Sequence, residues 1–369
     1  MKLSYFFPLL AALLITVFYL GLPELMTCPL PTDAGGRRPS RREYAAIALL
    51  TLVCASLSFF RLGDVRAPQT FRAFSDGEGL TLELAESGDV ARLELYAGVV
   101  PGSYEIELSA DGEHWSRVLF EQHYAALLKW HELPLEETAE AVRFVRVTGQ
   151  SGAELGELAL FSEEGALLSW AAESELTDEQ ALVPAEPDYL NSSYFDEIYH
   201  ARTAYEHLRG LNPYEISHPP LGKLLIALGV RLFGLTPFGW RFMGTLFGVL
   251  MVPAIWAFAR RLFGGGLVPL CTAALTAFDF MRFTQTRIAT IDSFAVFFIL
   301  LMYGFFWLWL KEDDERALAL SGLCFGLGAA TKWICLYAGL GLGLAWLCRW
   351  VGAFVTAKAS PPCLKGGAP

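Results

Sequence analysis

Seven apolar blocks, each nearly free of charge, constrain the fold of this chain more than any other feature of its sequence. They are Leu3–Leu22, Tyr44–Phe60, Phe238–Phe258, Gly265–Phe280, Ile288–Leu310, Ala317–Ala330 and Ile334–Leu347. A helix needs about 20 apolar residues to cross a bilayer, so four blocks suffice. The three short ones, Gly265–Phe280, Ala317–Ala330 and Ile334–Leu347, must borrow flanking residues or form tight hairpins. The sequence therefore predicts a multi-pass α-helical membrane protein of about seven spans. We expect the first block to be kept as a span and not cleaved as a signal peptide.

Charge divides the chain into two parts with opposite sign. From Gly63 to His200 there are 28 acidic and 7 basic residues, which gives −21, while the remaining residues carry +10. Arginines cluster in the loop Gly35–Arg42 and at the end of one block, at Arg260 and Arg261. Because basic loops stay on the cytoplasmic side, the acidic part is predicted to lie outside the plasma membrane. We expect the lipid bilayer as a partner, and no nucleic acid.

The sequence of the acidic part predicts an inserted β domain. Between Leu80 and Leu160 short runs such as LTLELAE, YEIELSA and VRFVRVTG alternate apolar and polar residues and are separated by turns. This period predicts a β-sandwich. The stretch YEIELSADGEHWSRV resembles discoidin-like, galactose-binding jelly rolls, which places such a domain at 65–170. Whether this copy binds a sugar is left open, since a fold does not fix a function. Trp115 and Trp130 are expected to be edge and core aromatics.

Titratable residues concentrate just before the third of the predicted spans, in YFDEIYHARTAYEHLRGLNPYEISHPPLGK. Asp196 and Glu197 are adjacent, and neighbours on a helix point about 100° apart, so one is expected to act and the other to orient or pair. Glu197 and His200 also have the spacing of a metal pair, completed by His207 or His218. The chain has no HExxH or CxxC motif, so a divalent cation is the less favoured alternative and we assign no metal ligand.

Two consecutive prolines, Pro219 and Pro220, follow His218 and fix an extended entry into the next helix. They hold a polar residue at a defined place beside the membrane. The two prolines therefore favour a functional site in this segment over a plain connection between helices.

Three blocks, FDEIYHARTAYEHLRGLNPYEISHPPLGKLL, TRIATIDSFAVFF and GLGAATKW, together resemble the protein O-mannosyltransferases, membrane glycosyltransferases of the GT-C fold. The resemblance implies an inverting transfer of a sugar, most simply mannose, from a polyprenyl phosphate to Ser or Thr of exported proteins outside the membrane. It also implies that Asp196 is the catalytic base, with Glu197 beside it. The family's HPP segment corresponds to His218–Pro220, and the arginine before its IDS-like block to Arg287.

These roles agree with the chemistry of the transfer. A hydroxyl is a weak nucleophile, so a carboxylate such as Asp196 must take its proton. The leaving phosphate must meet cations, for which the candidates are Arg287, Arg282, Lys332 and Arg202. Substrate positioning is assigned to His200, His218, Pro219, Pro220 and Lys223. Asp292 is expected inside an apolar span, in a structural pair. Beyond the lipid-linked sugar donor, no cofactor is assigned.

The predicted domains are two helices with a basic loop at 1–62, the jelly roll at 65–170, an outer loop at 171–236, the GT-C helices at 237–350 and a polar tail at 351–369. The chain departs from the family in two ways. About 130 residues separate FRLGD from the DE pair, and the tail is expected to be a truncation. Two alternatives stay open: a transferase of the same fold that modifies a lipid or cell-wall glycan, and an inactive remnant that binds glycans through its sandwich.

Overall fold

The computed structural model describes residues 39–100, 102–122, 127–149 and 152–359. The predicted span Leu3–Leu22, residues 35–38 of the basic loop and residues 360–369 of the polar tail lie outside the described residues. The described helices are α1 (Arg41–Phe59), α2 (Glu197–Arg209), α3 (Leu221–Phe233), α4 (Pro237–Phe263), α5 (Leu267–Ala277), α6 (Phe280–Thr286), α7 (Asp292–Glu312), α8 (Glu315–Ala329) and α9 (Ile334–Ala359).

In the described part of the chain, four helices are long and apolar enough to cross a membrane. They are α1, α4, α7 and the part of α9 up to Gly352. The block Gly265–Phe280 does not form one straight helix: α5 and α6 meet at 55°, so the pair is a broken span or a re-entrant loop. Asp279 causes the break, because its side chain accepts the backbone N–H of Arg282 and starts a new helix. Helix α8 has 15 residues, fewer than a straight span needs.

The acidic stretch forms one six-stranded antiparallel sheet in the order β1-β6-β2-β5-β3-β4. Its strands are β1 (Arg72–Ala73), β2 (Gly79–Ala97), β3 (Gly102–Ser109), β4 (Ser116–Gln122), β5 (Lys129–Gly149) and β6 (Glu154–Phe161). The predicted alternation is thus confirmed as strands. A sandwich of two separate sheets is not confirmed, because β2 and β5 run through as strands of 19 and 21 residues.

Irregular pairing bends this sheet around a single core. The β2–β5 register shifts between Glu83 and Arg92, and a bulge of this kind bends a strand. Leu82 before the shifts and Leu93 after them consequently lie in the same buried cluster. Leu176 also belongs to that cluster, so the core extends past the predicted boundary at residue 170. Trp130 is buried and packs against Tyr96.

The two ends of the inserted sheet meet. Strand β1 pairs with the last strand, with Arg72 opposite Leu155. The backbone N–H of Asp64, before the sheet, donates to the carbonyl of Leu190, after it, at 2.8 Å. The chain therefore leaves the helical part and returns to it at one place.

The chain divides into two compact units. One comprises the described residues up to 49 together with 251–276 and 295 onwards; there Glu43, at the start of α1, pairs with Arg260 at 2.7 Å. The other comprises 50–250 and 277–294. The sheet and the stretch that carries Asp196 belong to this second unit, whereas Lys332 belongs to the first.

Candidate active site

Glu197 is a buried structural carboxylate. Its side chain is 0% exposed, and so is that of its partner Arg241 from α4. Nε and Nη2 of Arg241 each donate to a different carboxylate oxygen, both at 2.7 Å. The backbone N–H groups of Tyr194 and Ala289 donate to the same two oxygens, at 2.8 and 2.9 Å. Both oxygens therefore accept two hydrogen bonds each.

The remaining donors of Arg241 hold the chain around Glu197. Nη1 donates to the carbonyls of Leu62 and Tyr189, at 3.0 and 2.7 Å, and Nη2 donates to the carbonyl of Ser192 at 3.0 Å. All five N–H groups of the guanidinium are thus used. Arg241 therefore connects the segment after α1, at Leu62, with the segment before α2 and, through Glu197, with α2 itself.

Asp196 faces a different environment, as the angle between helical neighbours predicts. It occupies the N-cap position of α2, where its side chain makes no capping hydrogen bond to the helix. It is half-buried and lines a cavity of about 470 Å³ together with Tyr199, His200, Tyr214, Glu215, Ile216, Ser217 and His218. The preceding residue, Phe195, has φ = 54°, a left-handed conformation that costs a bulky residue energy. This turn directs the chain from the buried segment into α2.

A polar network forms the far wall of the cavity. Lys223 of α3 is 2% exposed and donates from Nζ to Glu215 Oε2 at 2.5 Å and to the carbonyls of Glu215 and His218 at 2.7 and 2.8 Å. Nδ1 of His218 lies 3.2 Å from Glu215 Oε1. Burial alone would raise the pKa of Glu215, but hydrogen bonds from Lys223, Ser217 and His218 outweigh it and lower this pKa to about 2. Lys223 thus fixes the loop instead of facing a substrate.

The two prolines lie directly before α3, and Pro220 has right-handed helical backbone angles (φ −81°, ψ −21°) and not the extended conformation that the sequence predicts. Pro220 is the N-cap residue of α3, so the helix begins directly after the two prolines. They place His218 at the cavity and Lys223 beneath it.

His200 lies one turn after Asp196 on α2 and also lines the cavity. It is 6% exposed, and burial lowers its pKa to about 4, so the imidazole is neutral at physiological pH. Charged neighbours that act on it include Glu215, Lys223 and Asp292. Asp292 is the first residue of α7, so it lies at the end of that candidate span.

The metal alternative does not fit Glu197. Both of its oxygens are occupied by the N–H groups of Arg241, Tyr194 and Ala289, so it is not available to form a ligand pair with His200. Within the described residues, the one grouping of three potential ligands lies in the sheet part of the chain, at Glu157, Asp178 and Glu179.

Arg287 lies at a second, more apolar cavity of the same unit. This cavity has a volume of about 500 Å³ and is lined by Tyr189, Tyr194, Phe283, Thr284, Gln285, Arg287 and Ile288. Nη2 of Arg287 donates to the carbonyls of Phe60 and Arg61, at 2.9 and 2.8 Å, and to the Tyr189 hydroxyl at 2.7 Å. A half-buried guanidinium is therefore held at the wall of an apolar hollow.

The other predicted cations have different surroundings. The guanidinium of Arg282 donates to the carbonyls of Gly248 and Ala277, at 2.9 and 2.7 Å, and so helps to pack the helices. Arg202 pairs with Glu206 at 2.7 Å and lies over the Tyr214 ring, 4.3 Å from its centroid. Lys332 follows α8 in the other unit. The structure thus brings Asp196, His200 and His218 to one cavity and Arg287 to another.

Two residues of the site were missed by sequence reasoning. Arg241 stands inside the apolar block Phe238–Phe258, and a buried arginine there needs a partner, which is the signal that could have found it. Glu215 lies three residues before His218, and no pattern in the sequence predicted its ion pair with Lys223.

The match to a family model concerns the second half of the chain. A family model described as "Dolichyl-phosphate-mannose-protein mannosyltransferase" matches residues 217–350. A polyprenol-phosphate-mannose–protein mannosyltransferase of Mycobacterium tuberculosis (strain CDC 1551 / Oshkosh) is 34% identical over 145 residues, which is 38% of this chain and 27% of the relative. Its counterpart in Corynebacterium glutamicum is 34% identical over 150 residues, covering 37% and 28%. A third, in Mycolicibacterium smegmatis, is 34% identical over 153 residues, covering 40% and 29%.

A solved chain described as CpGH89CBM32-6 produced by Clostridium perfringens is also similar in part. It is 23% identical, covers 28% of this chain and 83% of that chain, and has a TM-score of 0.23. A score of this size does not establish a shared fold. The matched segment spans just over a quarter of the length of the three mannosyltransferases. The family model and these relatives together support a relationship between this membrane protein and the polyprenol-phosphate-mannose–protein mannosyltransferases.

Proposed function

We propose that this chain transfers mannose from a polyprenyl phosphate to Ser or Thr hydroxyls of exported proteins, with inversion at the sugar carbon and on the outer face of the membrane. Asp196 is the general base. The relatives named above are described as mannosyltransferases with this donor and a protein acceptor, and that supports the choice of reaction.

One observation carries the assignment of the base. Of two adjacent carboxylates, Glu197 is fully buried and accepts four hydrogen bonds, while Asp196 lines a polar cavity. A carboxylate saturated by donors cannot take a proton from an incoming hydroxyl, because its lone pairs are already engaged. Asp196 opens onto space that an acceptor side chain can enter, and it can remove the hydroxyl proton as the oxygen attacks the sugar carbon.

The second cavity suits the donor. A polyprenyl phosphate combines an apolar chain with an anionic group, and the cavity at Arg287 combines apolar walls with a fixed guanidinium. As the bond between sugar and phosphate breaks, negative charge grows on the phosphate, and a cation held in place stabilises it. Tyr189 helps to hold Arg287 through its hydroxyl and joins the same wall. His200 and His218 line the acceptor cavity and position the substrate there.

Transfer from a synthetic polyprenyl-phosphate mannose to a Ser/Thr peptide, with the purified full chain in detergent, tests the proposal. Asp196→Asn keeps the shape and removes the basic lone pair, so transfer is expected to fall by about 10² to 10⁴. Glu163→Gln, on an exposed turn of the sheet domain, is the matched control. Equal rates for wild type and Asp196→Asn would refute the assignment of the base.

The acceptor and the stereochemistry are read in the same assay. A product whose sugar has the same anomeric configuration as the sugar–phosphate bond of the donor contradicts inversion. Transfer to a lipid or cell-wall glycan, but to none of the peptides, would select the alternative acceptor. If wild type transfers mannose to no acceptor, the proposed activity is wrong for this chain.

A further inference from the structure

Ser192 and Ser193 are two polar residues buried directly before the Asp196 turn. They are 2% and 5% exposed, and Asn191 before them is 9% exposed. Buried polar groups must be hydrogen-bonded, so this short segment needs fixed partners on every side. No motif in the sequence pointed to it.

The partners of the two serines come from the inserted sheet. The Ser193 N–H donates to the carbonyl of Leu128 at 2.8 Å, and its hydroxyl donates to the carbonyl of Leu127 at 2.6 Å. The Ser192 hydroxyl accepts the backbone N–H of Trp130 at 3.1 Å. Leu127, Leu128 and Trp130 are each at most 2% exposed, so these bonds are shielded from water. The sheet is thus attached to this segment through the start of β5.

The opposite side of the same segment is held by Arg241, which donates to the carbonyl of Ser192 at 3.0 Å. The segment is therefore clamped between the sheet and α4. Two residues later Phe195 takes its left-handed turn, and Asp196 follows. Because the path from Ser193 to Asp196 is three residues long and Tyr194 is tied to Glu197, a shift of Ser193 must move the carboxylate of Asp196.

We propose that Ser192 and Ser193 are positioning residues through which the inserted sheet domain sets the place of the Asp196 carboxylate. The sheet domain is then a working part of the transferase and not a separate module carried on it. The proposal rests on Asp196 being the base. Displacement of a catalytic group by about 1 Å is enough to cost about 10² in rate, so the buried serine contacts control turnover.

Mutants of Ser193 test the proposal through kinetics. Ser193→Ala removes the hydroxyl that binds the Leu127 carbonyl, and we expect kcat for peptide mannosylation to fall about 10- to 100-fold with little change in the donor KM. Ser193→Thr retains a hydroxyl and should recover most of this loss. Ser169→Ala, an exposed serine of the sheet domain, is the matched control and should leave kcat unchanged.

Combination with Asp196→Asn separates positioning from general damage. If Ser193 acts through Asp196, Ser193→Ala lowers the residual rate of Asp196→Asn by less than about twofold, because the group it positions is already disabled. An equal loss in both backgrounds, or no loss in wild type, would overturn the proposal.

Hydrogen exchange tests the same contact without any activity. In Ser193→Ala the amides of 194–198 should exchange at least about tenfold faster than in wild type, since a buried hydrogen bond that holds this segment is lost. The amides of α7 serve as the internal control. Should Ser193→Ala fail to fold, Ser192→Ala, which removes the acceptor of the Trp130 N–H, takes its place. Unchanged exchange in a folded variant refutes the clamp, whereas faster exchange in a protein that transfers no sugar refutes only the proposed function.

Discussion

Removal of either partner of the Glu197–Arg241 pair should destabilise the protein far more than a change at the neighbouring Asp196. Both side chains are 0% exposed, and Arg241 donates five hydrogen bonds while Glu197 accepts four. Breaking a buried ion pair by losing one partner costs about 3 to 5 kcal/mol, because the other charge is left uncompensated. We expect Arg241→Met to lie at or above this range, since three backbone carbonyls lose their donor as well.

Glu197→Gln gives a second estimate of how much the pair contributes to the free energy of unfolding. The substitution replaces one carboxylate oxygen by an NH₂ group. The two N–H groups that bound this oxygen then face another donor, so at least two hydrogen bonds are lost. At roughly 1 to 3 kcal/mol for each buried group left unsatisfied, the expected loss is about 2 to 6 kcal/mol. Asp196→Asn, one residue away on the same helix, is the control and should change the free energy of unfolding by less than about 0.5 kcal/mol.

Denaturant-induced unfolding of the full chain in detergent, followed by tryptophan fluorescence, measures these free energies. The double variant Glu197→Gln with Arg241→Met should lose much less than the sum of the two single variants, with a coupling energy of about 2 to 3 kcal/mol. Single losses below about 1 kcal/mol, or strictly additive losses, would refute the view that this pair is a structural node.

Three further predictions concern pH, donor use and topology. His200 has a pKa of about 4 in the folded chain and about 6.5 in the unfolded chain, so between these pH values the unfolded chain binds one more proton. The free energy of unfolding should therefore fall as the pH is lowered from 6.5 to 4, and His200→Gln should remove this fall. Arg287→Lys keeps the charge but loses the planar fork, so in titrations of each substrate the donor KM should rise more than the acceptor KM; equal rises argue against a phosphate contact. A reporter active only outside the cytoplasm should be active when fused after Gly165 and silent after Arg261; the reverse pattern contradicts the outer placement of the sheet.

The elements with strong periodic signals were predictable from the sequence. Four apolar blocks became long helices because length and composition alone decide that outcome. The alternating runs became strands for the same reason. The break between α5 and α6 was not predicted, since a single capping residue, Asp279, outweighs the apolar character of the residues around it. The continuous bent sheet was not predicted either, because bulges in β2 depend on pairing with a partner far along the chain.

The candidate site was predictable only in part, and for a physical reason. Helical geometry indicated that Asp196 and Glu197 face different surroundings, but not which one is buried. That depends on Arg241, which lies 44 residues after Glu197, and no local rule connects the two. Likewise Ser192 and Ser193 look like an ordinary polar loop in the sequence, and only their long-range contacts with Leu127 and Leu128 make them buried.

The hydrogen bond between Asp64 and Leu190 has a consequence for how such a chain can fold and arise. A disordered connection of this size, about 125 residues, would cost roughly 2.4 kcal/mol more to close than one of about 8 residues, which is four doublings shorter. Because the bent sheet brings its own ends together, with β1 beside β6, most of that closure is completed once the sheet has formed. The folded insertion then has the loop-closure entropy of a short hairpin loop. It therefore adds a domain at little entropic cost to the pairing of the segments on either side of it.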